Sequence, residues 1–283
     1  MGIIEGAIRS EFRVSPTAQV LVLADNTQTE LEAAISASVD GNGDLILSPR
    51  GGIEVSSSVA VNKSGVRLIA SDDGMSPLAR GEFSGIYAAS SFTDGPAVTI
   101  TTPCSMEGFG FVSRDTGATF FSGAACLIGG LATALPFGVH LKNCRFPKWG
   151  LDNRIGLAIE GSSNCLIEYC DFEGAFDAGI YVQGACGHLT IRHNHFNLAT
   201  YAIQHGSFAD AGVNSQLFYG PGNVTVTPTK GILSGSNTCK ASVFGNYWAT
   251  PVATTHDQTV DDMETDGYIQ MGNYYADEER DDE

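Results

Sequence analysis

Between Val139 and Gly206 one six-residue phrase is written three times: Leu141-Lys-Asn-Cys-Arg-Phe146, Ile167-Glu-Tyr-Cys-Asp-Phe172 and Ile191-Arg-His-Asn-His-Phe196. A chain that repeats itself at a near-constant period folds as a solenoid, because one repeat can bury its apolar face only against the next. Weaker copies lie upstream at Met106-Glu-Gly-Phe-Gly-Phe111, and downstream at Val243-Phe-Gly-Asn-Tyr-Trp248 and Ile269-Gln-Met-Gly-Asn-Tyr274. Start-to-start spacings are 35, 26, 24, 52 and 26 residues. The 52 is twice 26, so a degenerate coil or a long loop is expected between Thr200 and Lys240.

A second phrase interleaves with the first: Gly156-Leu-Ala-Ile-Glu160, Gly179-Ile-Tyr-Val-Gln183, Ala202-Ile-Gln-His205 and Gly231-Ile-Leu-Ser234. Apolar residues alternate in both phrases, which predicts two short strands per period rather than helix. Turns rich in Gly, Asn and Ser complete the coil. Alternation points Val139, Leu141, Cys165, Ile167, Leu189 and Ile191 inward, with Phe146, Phe172, Phe196 and Trp248 stacked inside at a corner. Glu107, Lys142, Glu168 and Arg192 point outward in one column of alternating sign, and Arg145, Asp171 and His195 in a second. Opposite charges across a ladder contribute about 0.2–1 kcal/mol each, so these columns read as register control and solubility.

Upstream of the repeats, Ala18–Ala24 reads as a strand and Thr29–Val39 as a short helix. Leu31, Ala34, Ile35 and Ser38 share one helical face, Thr29 caps the start, and Asp40-Gly-Asn-Gly-Asp44 ends it. Leu45–Val55 (LILSPRGGIEV) and Gly65–Ala70 (GVRLIA) follow. Ser71–Gly95 lacks strand alternation and reads as an excursion, and Ala209–Thr227 as another excursion or the degenerate coil. Thr116–Leu135 carries weak strand signals at Thr119–Phe121 and Cys126–Ile128. The expected organisation is an N-terminal arm and strand over 1–28, coils over 29–250, and over 251–283 a C-terminal segment with one more repeat and an acidic tail.

The net charge of −17 argues against a nucleic-acid phosphate partner, which needs basic patches. No apolar run is long enough for membrane insertion, and no basic flank with an apolar core opens the chain, so no signal peptide is expected. The acidic C-terminal end reads as a solvating tail, a dock for a basic partner, or a cation site whose spacing is not that of an EF-hand. The 7 cysteines include no pair at metal-binding spacing, so no metal or cofactor is expected. They read as buried filler in a reducing compartment, with a Cys144–Cys170 disulfide as the alternative that register allows.

The short helix, the Gly/Asp turn, LILSPRGGIEV, GVRLIAS and the repeats together resemble pectin-lyase-like right-handed parallel β-helix proteins. The resemblance covers roughly residues 29–250. It implies an all-β, single-stranded right-handed parallel β-helix whose N-terminal end is plugged by the capping α-helix. It does not by itself imply one function. Pectate lyases of this kind use carboxylate-bound calcium and an arginine base. Polygalacturonase-like hydrolases use NTD, DD, GHG and RIK motifs, none of which is present; Gln204-His205-Gly206 is similar to GHG only faintly. Coil alignment gathers Asp152, Arg154 and Asp177 near one turn column. These, with His205, are the candidate catalytic residues, set against a plain reading as turn residues.

Short β-helix proteins made in the host cytoplasm without export signals also serve bacteriophages as tailspikes, head fibres and capsid decorations, commonly as trimers. The chain resembles such virion proteins. The resemblance implies attachment to capsid or tail proteins through a terminal segment, and contact with a host glycan in some of them. A polysaccharide-degrading tailspike, or a free carbohydrate-active β-helix enzyme, is the alternative. The coil after Arg192 that the phrase identifies puts Phe244 and Tyr247 where earlier coils carry charges. Aromatics grouped on an outer face suggest an interface, here between copies of the chain.

Overall fold

The computed structural model describes residues 16–49, 51–70, 85–92, 95–113, 123–129, 138–147, 154–174, 177–184, 186–198, 201–205, 215–226, 230–233, 239–248 and 269–275. The chain winds as a right-handed parallel β-helix, and each full coil lays one strand in each of three sheets. Sheet A has ten strands, from Val20–Val22 to Ile269–Met271; sheet B has nine, from Gly52–Val55 to Tyr274–Tyr275; sheet C has seven, from Val59–Val61 to Lys230–Leu233. All described pairings are parallel, each strand meeting the equivalent strand of the next coil.

Three sheets, not two strands per period, follow from a break inside the repeated phrase. Asn143, Tyr169 and His193 take left-handed φ values of 52°, 54° and 54°. That turns the chain sharply and separates the Leu141, Ile167 and Ile191 strands in sheet A from the Phe146, Phe172 and Phe196 strands in sheet B. The phenylalanines therefore stand on strands of their own, not at a corner. They are fully buried, in mutual register and stacked, with centroids 4.5 Å apart for Phe146–Phe172 and 4.8 Å for Phe172–Phe196. Leu157, Ile180, Ile203 and Ile232 are likewise in one row of sheet C. The six inward residues of sheet A expected from alternation are all buried.

The residue after each left-handed bend points inward and forms its own column: Phe109, Cys144, Cys170, Asn194, Asn223, Asn246 and Asn273, all buried. The asparagines build a ladder. Asn223 Oδ1 accepts from Asn194 N at 3.0 Å and Asn194 Nδ2 at 3.1 Å, while Asn223 Nδ2 donates to Ile191 O at 2.9 Å and Asn246 Oδ1 at 3.0 Å. Asn246 and Asn273 repeat the pattern. Cys170 N joins the ladder by donating to Asn194 Oδ1 at 2.8 Å. Cys104, Cys126, Cys144, Cys165, Cys170 and Cys186 are free and buried, so Cys144 and Cys170 form no disulfide.

One open expectation is decided and three others are corrected. Of the two readings of the stretch between Thr200 and Lys240, degenerate coil or long loop, the coil is the one present: Ser215–Tyr219, Val224–Thr225 and Lys230–Leu233 enter sheets A, B and C. Within the supposed 71–95 excursion, Gly85–Ala88 is a strand of sheet B paired with Gly52–Val55; its two inward positions, Ile86 and the small Ala88, leave too little apolar contrast to read as alternation. The last repeat sits one residue later than its apolar residues suggest. Asn273 stacks on Asn246 and Gln270 faces Val243, because the Gly-Asn bend, not the isoleucine, fixes the register. The helix, α1, spans Gln28–Ala37 and is capped by Thr27, not Thr29. Thr27 is extended and its hydroxyl accepts from Glu30 N at 3.3 Å, the geometry of an N-cap. Leu31, Ala34 and Ile35 bury against the first coil, as the plugging role requires. Buried Asp44 closes the turn after α1 by accepting from Gln19 N, Val39 N and Asn42 Nδ2 at 2.7–2.8 Å.

Candidate functional site

Parallel in-register stacking puts equivalent outward side chains of successive coils about 4.8 Å apart, close enough to pair. On sheet A, Glu107, Lys142, Glu168 and Arg192 form one row, as alternation predicts. Lys142 Nζ lies 3.1 Å from Glu107 Oε1. Glu168 Oε2 accepts from Arg192 Nε at 3.0 Å and Nη2 at 2.8 Å, and its Oε1 meets His140 Nε2 at 3.0 Å. Burial works against the Glu168 charge, but the hydrogen bonds from Arg192 and His140 outweigh it and hold the carboxyl below its usual value. His140 was not legible as a partner, although it lies on the outward parity two residues before Lys142. In sheet B, Asp171 bridges Arg145 (3.4 Å) and His195 (2.8 Å). The hydrogen bond to Asp171 raises the His195 pKa against the opposing effect of burial.

Of the candidate catalytic residues, Arg154 and Asp177 are brought together at the entry to sheet C. Arg154 Nε and Nη2 reach the same Asp177 oxygen at 2.6 and 2.5 Å, and Asp177 N donates to Arg154 O at 2.8 Å. Asp152 and the His205 side chain lie outside the described residues; the His205 backbone sits in sheet C beside Val182. A glycosidase needs two carboxylates at a set separation, whereas the contact seen here is between one carboxylate and a guanidinium. Among the described residues, no group of three His, Cys, Asp or Glu could hold a metal ion.

Phe244 and Tyr247 flank the Gly245–Asn246 bend, Phe244 half-buried in sheet A beside Met271 and Tyr247 exposed in sheet B between Val224 and Tyr274. The unrecognised coil inserts Gly220 between Arg192 and Phe244 in their row. A Cβ there would collide with the Phe244 carbonyl, and φ is +127°, so glycine alone fits. Phe218 and Met271 add exposed apolar surface on the same sheet. Between the charged coils and Phe218, a shallow groove of about 470 Å³ crosses the outside of sheet A, lined by Asn164, Leu166, His188, Thr190, Arg192 and Phe218.

A family model described as "Right handed beta helix region" matches residues 84–246. The search of curated proteins found no match. Among solved structures, the ORF18 protein of Geobacillus virus E2 aligns with a TM-score of 0.54 and 13% identity over 87% of this chain and 54% of that one, so this chain spans about half the viral protein's length. The pectin methylesterase of Aspergillus niger aligns with a TM-score of 0.57 and 12% identity over 93% and 87% of the two chains. A PL6 family alginate lyase aligns at 0.50 and 12% over 93% and 41%. At these identities the likeness is one of fold.

Proposed function

This chain belongs to the right-handed β-helix family, and from that premise we propose that it is a structural component of a bacteriophage particle rather than an enzyme. The observation that carries this reading is the state of four outward carboxylates in the stacked columns. Glu107, Glu168, Asp171 and Asp177 are each engaged by a cation from their own or a neighbouring coil. Carboxylates committed to pairing stiffen a rod; a general acid or nucleophile has to be free to change partners during the reaction. The fold shared with a viral protein is consistent with this setting. In the proposal a terminal segment attaches the β-helix to capsid or tail proteins, and copies associate, as trimers, through the face that bears Phe244 and Tyr247. The exposed surface of the rod is free to meet host-surface glycans.

Mass spectrometry and immunogold labelling of purified particles test the location: stoichiometric presence is expected, and absence from the particle refutes the reading. Light scattering tests association. The double change Phe244→Glu, Tyr247→Asp should yield a folded monomer, and a wild-type protein that is monomeric at micromolar concentration, with no self-contact in its particle, overturns the oligomer. A carbohydrate-active enzyme is the second reading, favoured by the half-exposed Arg154–Asp177 pair. Turnover of pectin, alginate or a host polysaccharide that is abolished by Asp177→Asn would establish it.

A further inference from the structure

The groove on sheet A is built differently from the surface around it. Leu166, Thr190 and Phe218 are equivalent outward residues of three successive coils. Their strands place a small hydroxyl between an aliphatic side chain and an aromatic one. Phe218 is 38% exposed, an unusual position for a large ring whose other row neighbour is Ser242. At one end of the groove stand Asn164 and His188, both exposed and both in left-handed conformations, with φ of 55°. They form the bend that precedes the sheet A strand, taken by Gly43, Gly65 and Gly138 in earlier coils. At the other end stands Arg192. Four residues of strand separate it from His188, about 13 Å.

The polar lining is open for business with a ligand only in a particular way. The side chains of Asn164, His188 and Thr190 make no hydrogen bond among the described residues. Arg192 spends two N–H groups on Glu168 and keeps the others, while Glu168 balances its charge. The lining therefore offers donors and acceptors around an aromatic platform without a net charge. That combination suits a polyhydroxylated neutral ring, whose hydroxyls both donate and accept and whose C–H face packs on an aromatic. It suits an acidic or basic peptide poorly, and one aromatic is too little for an apolar ligand.

We infer that this groove binds a short segment of a neutral oligosaccharide, with Phe218 as the stacking platform and Asn164, His188, Thr190 and Arg192 as its polar contacts. The inference rests on the proposal of a particle component that meets surface glycans, and it places that contact on the outside of sheet A.

The test uses the full chain on an array of neutral oligosaccharides (glucans, mannans, galactans and N-acetylhexosamine oligomers) beside matched uronate oligomers, followed by calorimetry with the best binder. A neutral oligosaccharide is expected to bind. Phe218→Ala should weaken it about tenfold and Phe218→Trp should retain it. Thr190→Trp, which fills the groove from an outward position, should abolish binding with the far-UV circular dichroism unchanged. Failure of every neutral oligosaccharide, binding by uronates alone, or binding indifferent to both Phe218→Ala and Thr190→Trp overturns the inference. A protein found in particles that binds no glycan sinks this inference alone. Binding that behaves as expected in a protein absent from particles sinks the particle reading and leaves the groove standing.

Discussion

The coils between Leu141 and Leu198 and those between Ser215 and Tyr275 wind through the same three sheets, yet hold their register by opposite means. In the first group the inner column runs through Cys144 and Cys170, which are compact and only weakly directional, and reaches an amide only at its last coil, in Asn194, while the rings of Phe146, Phe172 and Phe196 lie nearly parallel, within 6°. Direction comes from outside, through the pairs around Glu168 and Asp171. In the second group direction comes from inside, through the amides of Asn223, Asn246 and Asn273. There the stacked rings tilt, by 42° for Phe196–Tyr219 and 30° for Tyr219–Trp248. The charges disappear from the two rows, which continue as Gly220, Phe244 and Met271 on sheet A and as Val224, Tyr247 and Tyr274 on sheet B. A coil whose register is locked inside can give up its outer charges, and the surface so released is where the proposed contacts lie.

Four perturbations would break or sharpen this contrast. The largest effect is expected from Phe172→Ala, which opens a cavity between two stacked rings and should cost about 3–5 kcal/mol in chemical denaturation. Asn223→Ala should follow, at about 2–3 kcal/mol, because it leaves the buried Asn194 N–H without its acceptor; a cost below that of Cys144→Ala would contradict the division of labour. Glu168→Gln should cost about 1–2 kcal/mol by weakening the contacts from Arg192 and His140. Because the Glu168 pKa is lowered on folding, its contribution is present above the ordinary value of 4.5 and is lost as pH falls through the lower folded value. An acid-unfolding curve should show that loss for wild type and not for Glu168→Gln. The smallest effect belongs to His195→Gln. The folded His195 pKa is raised, so its stabilisation is full below 6.5 and fades as pH rises through the folded value. Thermal melts of wild type and variant should converge at alkaline pH.

Much of this was legible because side-chain parity is a local property. The triple phrase gave the inward residues, the phenylalanine stack and both charge columns. The third sheet was hidden because the bend that creates it is marked by Asn143, Tyr169 and His193, three residues with no shared chemistry. The ladder was hidden for a related reason. Its positions pass from cysteine to asparagine, and only the Gly-Asn pairs at 222–223, 245–246 and 272–273 mark its later rungs. The groove depends on Phe218, which belongs to the coil that the repeat pattern did not recognise, so no reading of the phrase could assemble it. Asp152, Arg154 and Asp177 aligned on a column, and for the two described residues that alignment became an ion pair; the distances that decide catalysis are not written in spacing.

The bend between sheets A and B has one further consequence. Two residues join Ser105–Glu107 to Gly110–Val112, and two also join the sheets in the coils of Lys142, Glu168, Arg192, Phe244 and Met271, whereas 3 follow Ser48, 14 follow Ala70 and 4 follow Tyr219. The links from sheet B to sheet C obey no such rule: Pro147 to Ile155, Gly174 to Ala178 and Leu198 to Tyr201 differ in length from coil to coil. The molecule is thus bound along most of one edge like the spine of a book, and its pages vary along another. Insertions at the B–C edge can change what the rod displays without altering its pitch, and the A–B edge takes a long one only where a coil dispenses with the two-residue bend, between Ala70 and Gly85.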